Sequence, residues 1–244
     1  MIKFRQKQYS LQEENMNRGI LKYDAKNAMK EAVVNPYVAT IIMGVINLIL
    51  GIIQELLSLW EGLLNQDAAD LEQYTTFFGV LMVFMVISFV VTAIIQFGYY
   101  TYCLKVANRD QSMSYGDLFC AMRHFLKVLG LFFMIGLFTF LWTCLFIIPG
   151  IIAQYRYSQA VFIMAEDPRK GIMQCIRESK EMMVGHKMEF FILELSFLLW
   201  ILLSVFTCGL GMIYVCPYMT VTFANYYNSL KPVTTYYQEA TVIN

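Results

Sequence analysis

From Tyr37 to Trp60 the chain runs through an apolar stretch whose only charged residue is Glu55. About 20 such residues, wound as an α-helix, cross the roughly 30 Å hydrocarbon core of a bilayer. A helix in lipid satisfies its own backbone hydrogen bonds, so this pattern admits few folds. Further apolar stretches run from Phe77 to Tyr102, Leu126 to Ile148, Ile151 to Ala165, Met188 to Phe206 and Leu210 to Tyr227. Pro149-Gly150 and Thr207-Cys208-Gly209 are expected to make tight turns, because proline cannot continue a helix and glycine permits a sharp bend. The expected fold is all-α: a six-helix polytopic membrane bundle over residues 18–230. A cytoplasmic extension, residues 1–17, precedes it and a cytoplasmic tail, residues 231–244, follows. The first residues show charges with no apolar core behind them, so the first spanning helix is expected to act as the insertion signal.

Lysine and arginine set the expected orientation. Residues 1–36 carry Lys3, Arg5, Lys7, Arg18, Lys22, Lys26 and Lys30. Lys105, Arg109, Arg123 and Lys127 follow the second stretch, Arg169, Lys170, Arg177, Lys180 and Lys187 follow the fourth, and Lys231 lies in the tail. Of the 18 basic residues, 17 fall on one side and the last, Arg156, lies within a helix. The opposite side offers the acidic loop of Glu61, Asp67, Asp70 and Glu72. The basic side is therefore read as cytoplasmic, with both termini there.

The cytoplasmic segments look alike. Ala28-Met29-Lys30, Ala121-Met122-Arg123 and Cys175-Ile176-Arg177 occupy matching places ahead of each pair of spanning helices, and Gly130 and Gly185 follow at similar distances. The expectation is three parallel repeats, each an interfacial amphipathic helix plus two spanning helices, related by an axis along the membrane normal.

Three segments carry a resemblance. They are Phe146 to Ala153, which contains Pro149-Gly150; Ser179 to Trp200, which contains Gly185-His186-Lys187; and Pro217-Tyr218 followed by Phe223, Ala224, Tyr226 and Tyr227. Together they resemble the bacterial membrane family called domain of unknown function 975, over about Arg18 to Leu230. The resemblance implies a multi-pass protein of the bacterial cytoplasmic membrane and carries over no catalytic residues. The extension Met1 to Asn17 departs from the family pattern.

Charges inside a bilayer cost several kcal/mol unless paired or hydrated, so they mark candidate sites. Arg156 and Glu55 lie at matching depth, about 8–9 Å from one surface at 1.5 Å per residue, and are expected to pair. Glu194 lies nearer the other surface. Gln154, Arg156, Ser158 and Gln159 make about half the circumference of the fourth stretch polar, which should turn toward the bundle interior. Two readings of that face stay open: a structural polar network between helices, and a ligand site formed by Arg156, Gln154, Ser158, Gln159, Glu194 and Glu55.

Several functions are disfavoured. The 18 basic and 18 acidic residues give zero net charge, and no basic stretch is interleaved with aromatics, so nucleic acid is not an expected partner. The six cysteines form no CxxC pair, and His124 and His186 lack ligand-spaced neighbours; no metal or cofactor is expected. Soluble catalytic motifs are missing, and catalysis is not expected. The favoured function is binding and transport of a small polar or amphiphilic, anionic ligand. The alternative is a binding module that does not transport, such as a lipid-sensing, assembly or peptide-immunity protein. Membrane lipids are expected partners, and the oligomeric state stays open.

Overall fold

Residues 17–64, 71–207 and 209–231 are described by the computed structural model, and they form helices with no strand. The expectations placed on residues 1–16, on Asp67, Asp70 and Cys208, and on residues 232–244 lie outside the described residues. Helix α1 spans Arg18–Glu31. Asn17 caps it by accepting a 2.9 Å hydrogen bond from the Gly19 amide. Helix α2, Pro36–Leu64, opens on a proline, whose missing N–H is no loss in a first turn. Helix α3 spans Leu71–Ala107. A 3₁₀ helix, Tyr115–His124, starts with a capping box between Ser114 and Asp117 and leads into α4, Phe125–Leu145. Then come α5 (Ile147–Tyr157), α6 (Ala160–Glu166), α7 (Ile172–Met182), α8 (Lys187–Leu195), α9 (Leu198–Phe206) and α10 (Met212–Leu230).

Among the described residues, four segments are long and apolar enough to cross a membrane: Pro36–Trp60, Phe78–Ala107, Tyr115–Leu145 and Lys187–Phe206. Their apolar side chains face outward. Leu126 is 71% exposed, Leu199 77% and Phe206 85%, an arrangement that suits hydrocarbon and would drive aggregation in water. The other two expected spans differ. The fourth is split into pieces of 11 and 7 residues. The sixth is a helix of 19 residues whose tyrosines, threonines and asparagines dilute its apolar character.

The turns also differ in detail. The chain reverses at Phe146, which is fully extended, and Pro149 sits inside the first turn of α5, where no donor is needed. Gly150 serves close packing: a Cβ there would fall 2.1 Å from Thr143 Oγ1 on α4. Gly211 repeats the device, since its Cβ would fall 2.6 Å from Ser204 Oγ on α9. Gly209 adopts the left-handed conformation, φ +86°, and its amide donates to the Ser204 carbonyl at 2.9 Å. Helix α10 runs through Pro217 without a break.

Burial is concentrated at one end of the bundle. Buried residues cluster in the last turns of α3 from Ala93 to Ala107, the first turns of α4, α6 from Ala160 to Met164, and α10 from Val215 to Leu230. Against them pack Ala25, Ala28 and Met29 of α1, Leu118 and Ala121 of the 3₁₀ helix, and Cys175 and Ile176 of α7. Ala28, Ala121 and Cys175, the residues matched by sequence, therefore enter one core. At the other end the same long helices expose their apolar residues. Helix α3 is the central element, touching α1, α2, the 3₁₀ helix, α4, α6 and α10. Gly98 permits its closest approach, because a Cβ there would lie 1.9 Å from the Leu118 carbonyl oxygen.

Candidate functional site

The polar face of the fourth stretch is built around a break. Ser158 and Gln159 interrupt the helix between α5 and α6. The Ser158 hydroxyl donates to the Tyr155 carbonyl at 2.9 Å, a local bond that competes with helical pairing. The groups freed by the break are recovered by α7. Ser179, fully buried, donates its hydroxyl to the Arg156 carbonyl at 3.0 Å and accepts the Gln159 amide at 3.2 Å. Gln159 is fully buried as well. Its Nε2 donates to Ser158 Oγ at 3.0 Å, and its Oε1 has no partner. Neither proline nor glycine marks this joint, so the expectation of a continuous helix missed it.

A second break lies in the fifth stretch, at Ser196 and Phe197. Here the Ser196 hydroxyl donates to the Leu193 carbonyl. Lys22, from α1, donates to the Ser196 carbonyl at 3.4 Å and sits 4.2 Å from the centroid of the Phe197 ring. Burial, then the neighbouring Arg18 charge, lowers the pKa of Lys22 from its usual value. Both breaks are thus covered by a polar side chain from a short helix at the packed end.

Between the two breaks, Tyr155 donates its hydroxyl to Glu194 Oε2 at 2.7 Å. Its ring meets Phe190 and Phe191 edge-on, at 6.1 and 5.8 Å between centroids. The structure thus brings Ser158 and Gln159 together and places Glu194 on Tyr155, the residue beside Arg156. Gln154 is exposed and joins neither group. Arg156 is half-buried in the last turn of α5 and forms no ion pair among the described residues. The Arg156–Glu55 pair does not form. Glu55 is exposed on α2, which packs on α3 and α10, whereas α5 packs on α4, α7 and α8. Matching depth is a single coordinate, and the two helices are not neighbours.

The structure also holds a cavity that sequence reasoning missed. It has a volume of about 260 Å³ and lies at the packed end, between α3, the 3₁₀ helix, the start of α4 and the end of α6. Lys105, Arg123, His124 and Lys127 line it together with apolar Phe97, Val128 and Met164. Lys105 is paired with Asp117 at 2.8 Å, and Lys127 donates to the Pro168 carbonyl at 3.2 Å. The only sequence signal was the bunching of Arg123, His124 and Lys127. Cys103, Cys120, Cys144, Cys175 and Cys216 are free thiols, and no cluster among the described residues could hold a metal.

Residues 145–233 match the family model described as Protein of unknown function (DUF975). That match supports the resemblance read from the sequence, and all three segments that carried it fall inside it. It covers both helix breaks, Arg156, Glu194 and the Ser179 clamp, but not Glu55 or most of the cavity lining. No curated protein and no solved structure is similar to the chain.

Proposed function

We propose that this chain is a non-catalytic multi-pass protein of a bacterial cytoplasmic membrane that binds a small anionic or amphiphilic ligand beside Arg156 and moves it. In this reading six segments span the bilayer as three parallel units, with both termini cytoplasmic. The shared burial of Ala28, Ala121 and Cys175 in one core supports the units, and the crowding of basic residues at that end supports the orientation.

Arg156 carries the proposal. A guanidinium held partly out of water without a carboxylate costs several kcal/mol. Its position in the last turn of α5 returns only about 0.3–1 kcal/mol through the helix dipole. A bound phosphate or carboxylate would supply the missing partner bidentately. Tyr155 and Glu194 would then form a second polar layer, and Gln159 Oε1 a free acceptor. Gln154, being exposed, stands at the margin of this site, and Glu55, on a helix that does not pack on α5, lies outside it. Binding without transport is favoured by a different observation: Ser179 closes the Ser158–Gln159 joint completely, which suits a fixed fold more than a moving gate.

The test is reconstitution of the full chain in nanodiscs with anionic lipids and small metabolite anions, followed by thermal shift. Wild type should gain stability with at least one anion class, and Arg156→Gln should lose that gain while keeping its helical spectrum. Equal shifts in the two proteins would end the proposal.

A further inference from the structure

We infer that the cavity at the packed end is a second site, separate from the Arg156 cluster, and that it takes a phosphomonoester. Three fixed cations, Lys105, Arg123 and Lys127, line it with one carboxylate, Asp117, so three positive charges less one negative leave an excess of two. A phosphomonoester carries about −1.5 to −2 at neutral pH and matches that excess better than a carboxylate can. Asp117 is already committed to Lys105 and to the Ser114 amide, so it orders one wall of the cavity. Arg123 has no partner among the described residues. It supplies the planar fork that phosphate oxygens fit.

Size and lining narrow the ligand. At about 260 Å³ the cavity falls just below the roughly 300–1,000 Å³ of sites for drug-sized molecules, which suits a headgroup or a small phosphorylated molecule. Phe97, Val128, Met164 and Ala165 give it an apolar wall where the first carbons of a hydrocarbon or glycerol moiety can rest. The cavity sits where α3 ends its apolar run and α4 begins. That is the depth at which basic pockets between spanning helices meet lipid headgroups. The phosphomonoester could thus come from phosphatidic acid or from a free glycerol phosphate, and the experiment separates the two.

Purified full-length chain in nanodiscs of phosphatidylcholine is titrated with short-chain phosphatidic acid, short-chain phosphatidylcholine and glycerol 3-phosphate, with binding read by microscale thermophoresis. Wild type should bind phosphatidic acid and ignore phosphatidylcholine. Binding of glycerol 3-phosphate as well assigns the site to free phosphomonoesters; its failure assigns the site to the lipid. Arg123→Gln should weaken binding about tenfold, as expected for one charge-assisted bond. Ala165→Leu, which narrows the cavity without changing charge, should weaken it too and stands in should Arg123→Gln not fold. Lys30→Gln, which removes an exposed cation that does not line the cavity, should bind as wild type. The inference is overturned if neither phosphate compound binds, if phosphatidylcholine binds equally, or if only Arg156→Gln abolishes binding.

Discussion

Replacing Ser179 with alanine tests the helix joint directly. The substitution removes one hydroxyl and leaves two backbone groups, the Gln159 amide and the Arg156 carbonyl, without the partners they hold at 3.2 and 3.0 Å. Ser179 is fully buried, so water cannot replace it without opening the contact between α7 and the joint. A buried polar group left unsatisfied costs about 1–3 kcal/mol, while interhelical hydrogen bonds in membranes average about 0.6 kcal/mol. Two such groups together place the loss at about 1–3 kcal/mol. The assay is unfolding in mixed detergent followed by far-ultraviolet circular dichroism, with Arg169→Ala as reference. Arg169 is almost wholly exposed and pairs only with Asp167, so its loss should change stability by less than about 0.5 kcal/mol. Ser179→Cys, with its weaker donor, should fall between alanine and wild type. If Ser179→Ala unfolds with Arg169→Ala and wild type, the clamp does not hold the joint and the account of the break is wrong.

Gly98→Ala should be strongly destabilising, by about 1–3 kcal/mol or more, because the new Cβ meets the Leu118 backbone; Gly136→Ala, with open space around it, should be neutral or slightly stabilising in the same unfolding assay. A topology reporter fused at Ala68 should report the side opposite a reporter fused after Leu230. A cytoplasmic signal from Ala68 would reverse or break the assigned orientation.

Long apolar runs were legible because their length answers to bilayer thickness alone, and Pro36–Trp60 and Phe78–Ala107 fall close to where periodicity and hydropathy place them. The breaks at Ser158 and Ser196 were not. Serine is common in apolar helices, and these two interrupt theirs where Ser179 and Lys22, from α7 and α1, cover the freed backbone. The candidate site was legible as a set of costly polar residues on one stretch. Its partners were not, because depth along a helix says nothing about which helices touch, which is why Glu55 was paired with Arg156. The cavity was hidden for a related reason. Its lining runs from Phe97 to Pro168, and only tertiary packing assembles it.

The concentration of burial at one end divides the chain into two regimes of evolutionary freedom. At the packed end, most side chains on α6 and late α3 face protein, where a change of one carbon is felt. At the open end, Leu199 or Phe206 faces outward, and exchanging one apolar residue for another leaves a lipid contact much as it was. Sequence drift in this fold should therefore follow depth rather than helix boundaries: a single helix such as α3 would change freely from Phe78 to Phe89 and hardly at all over its last fifteen residues.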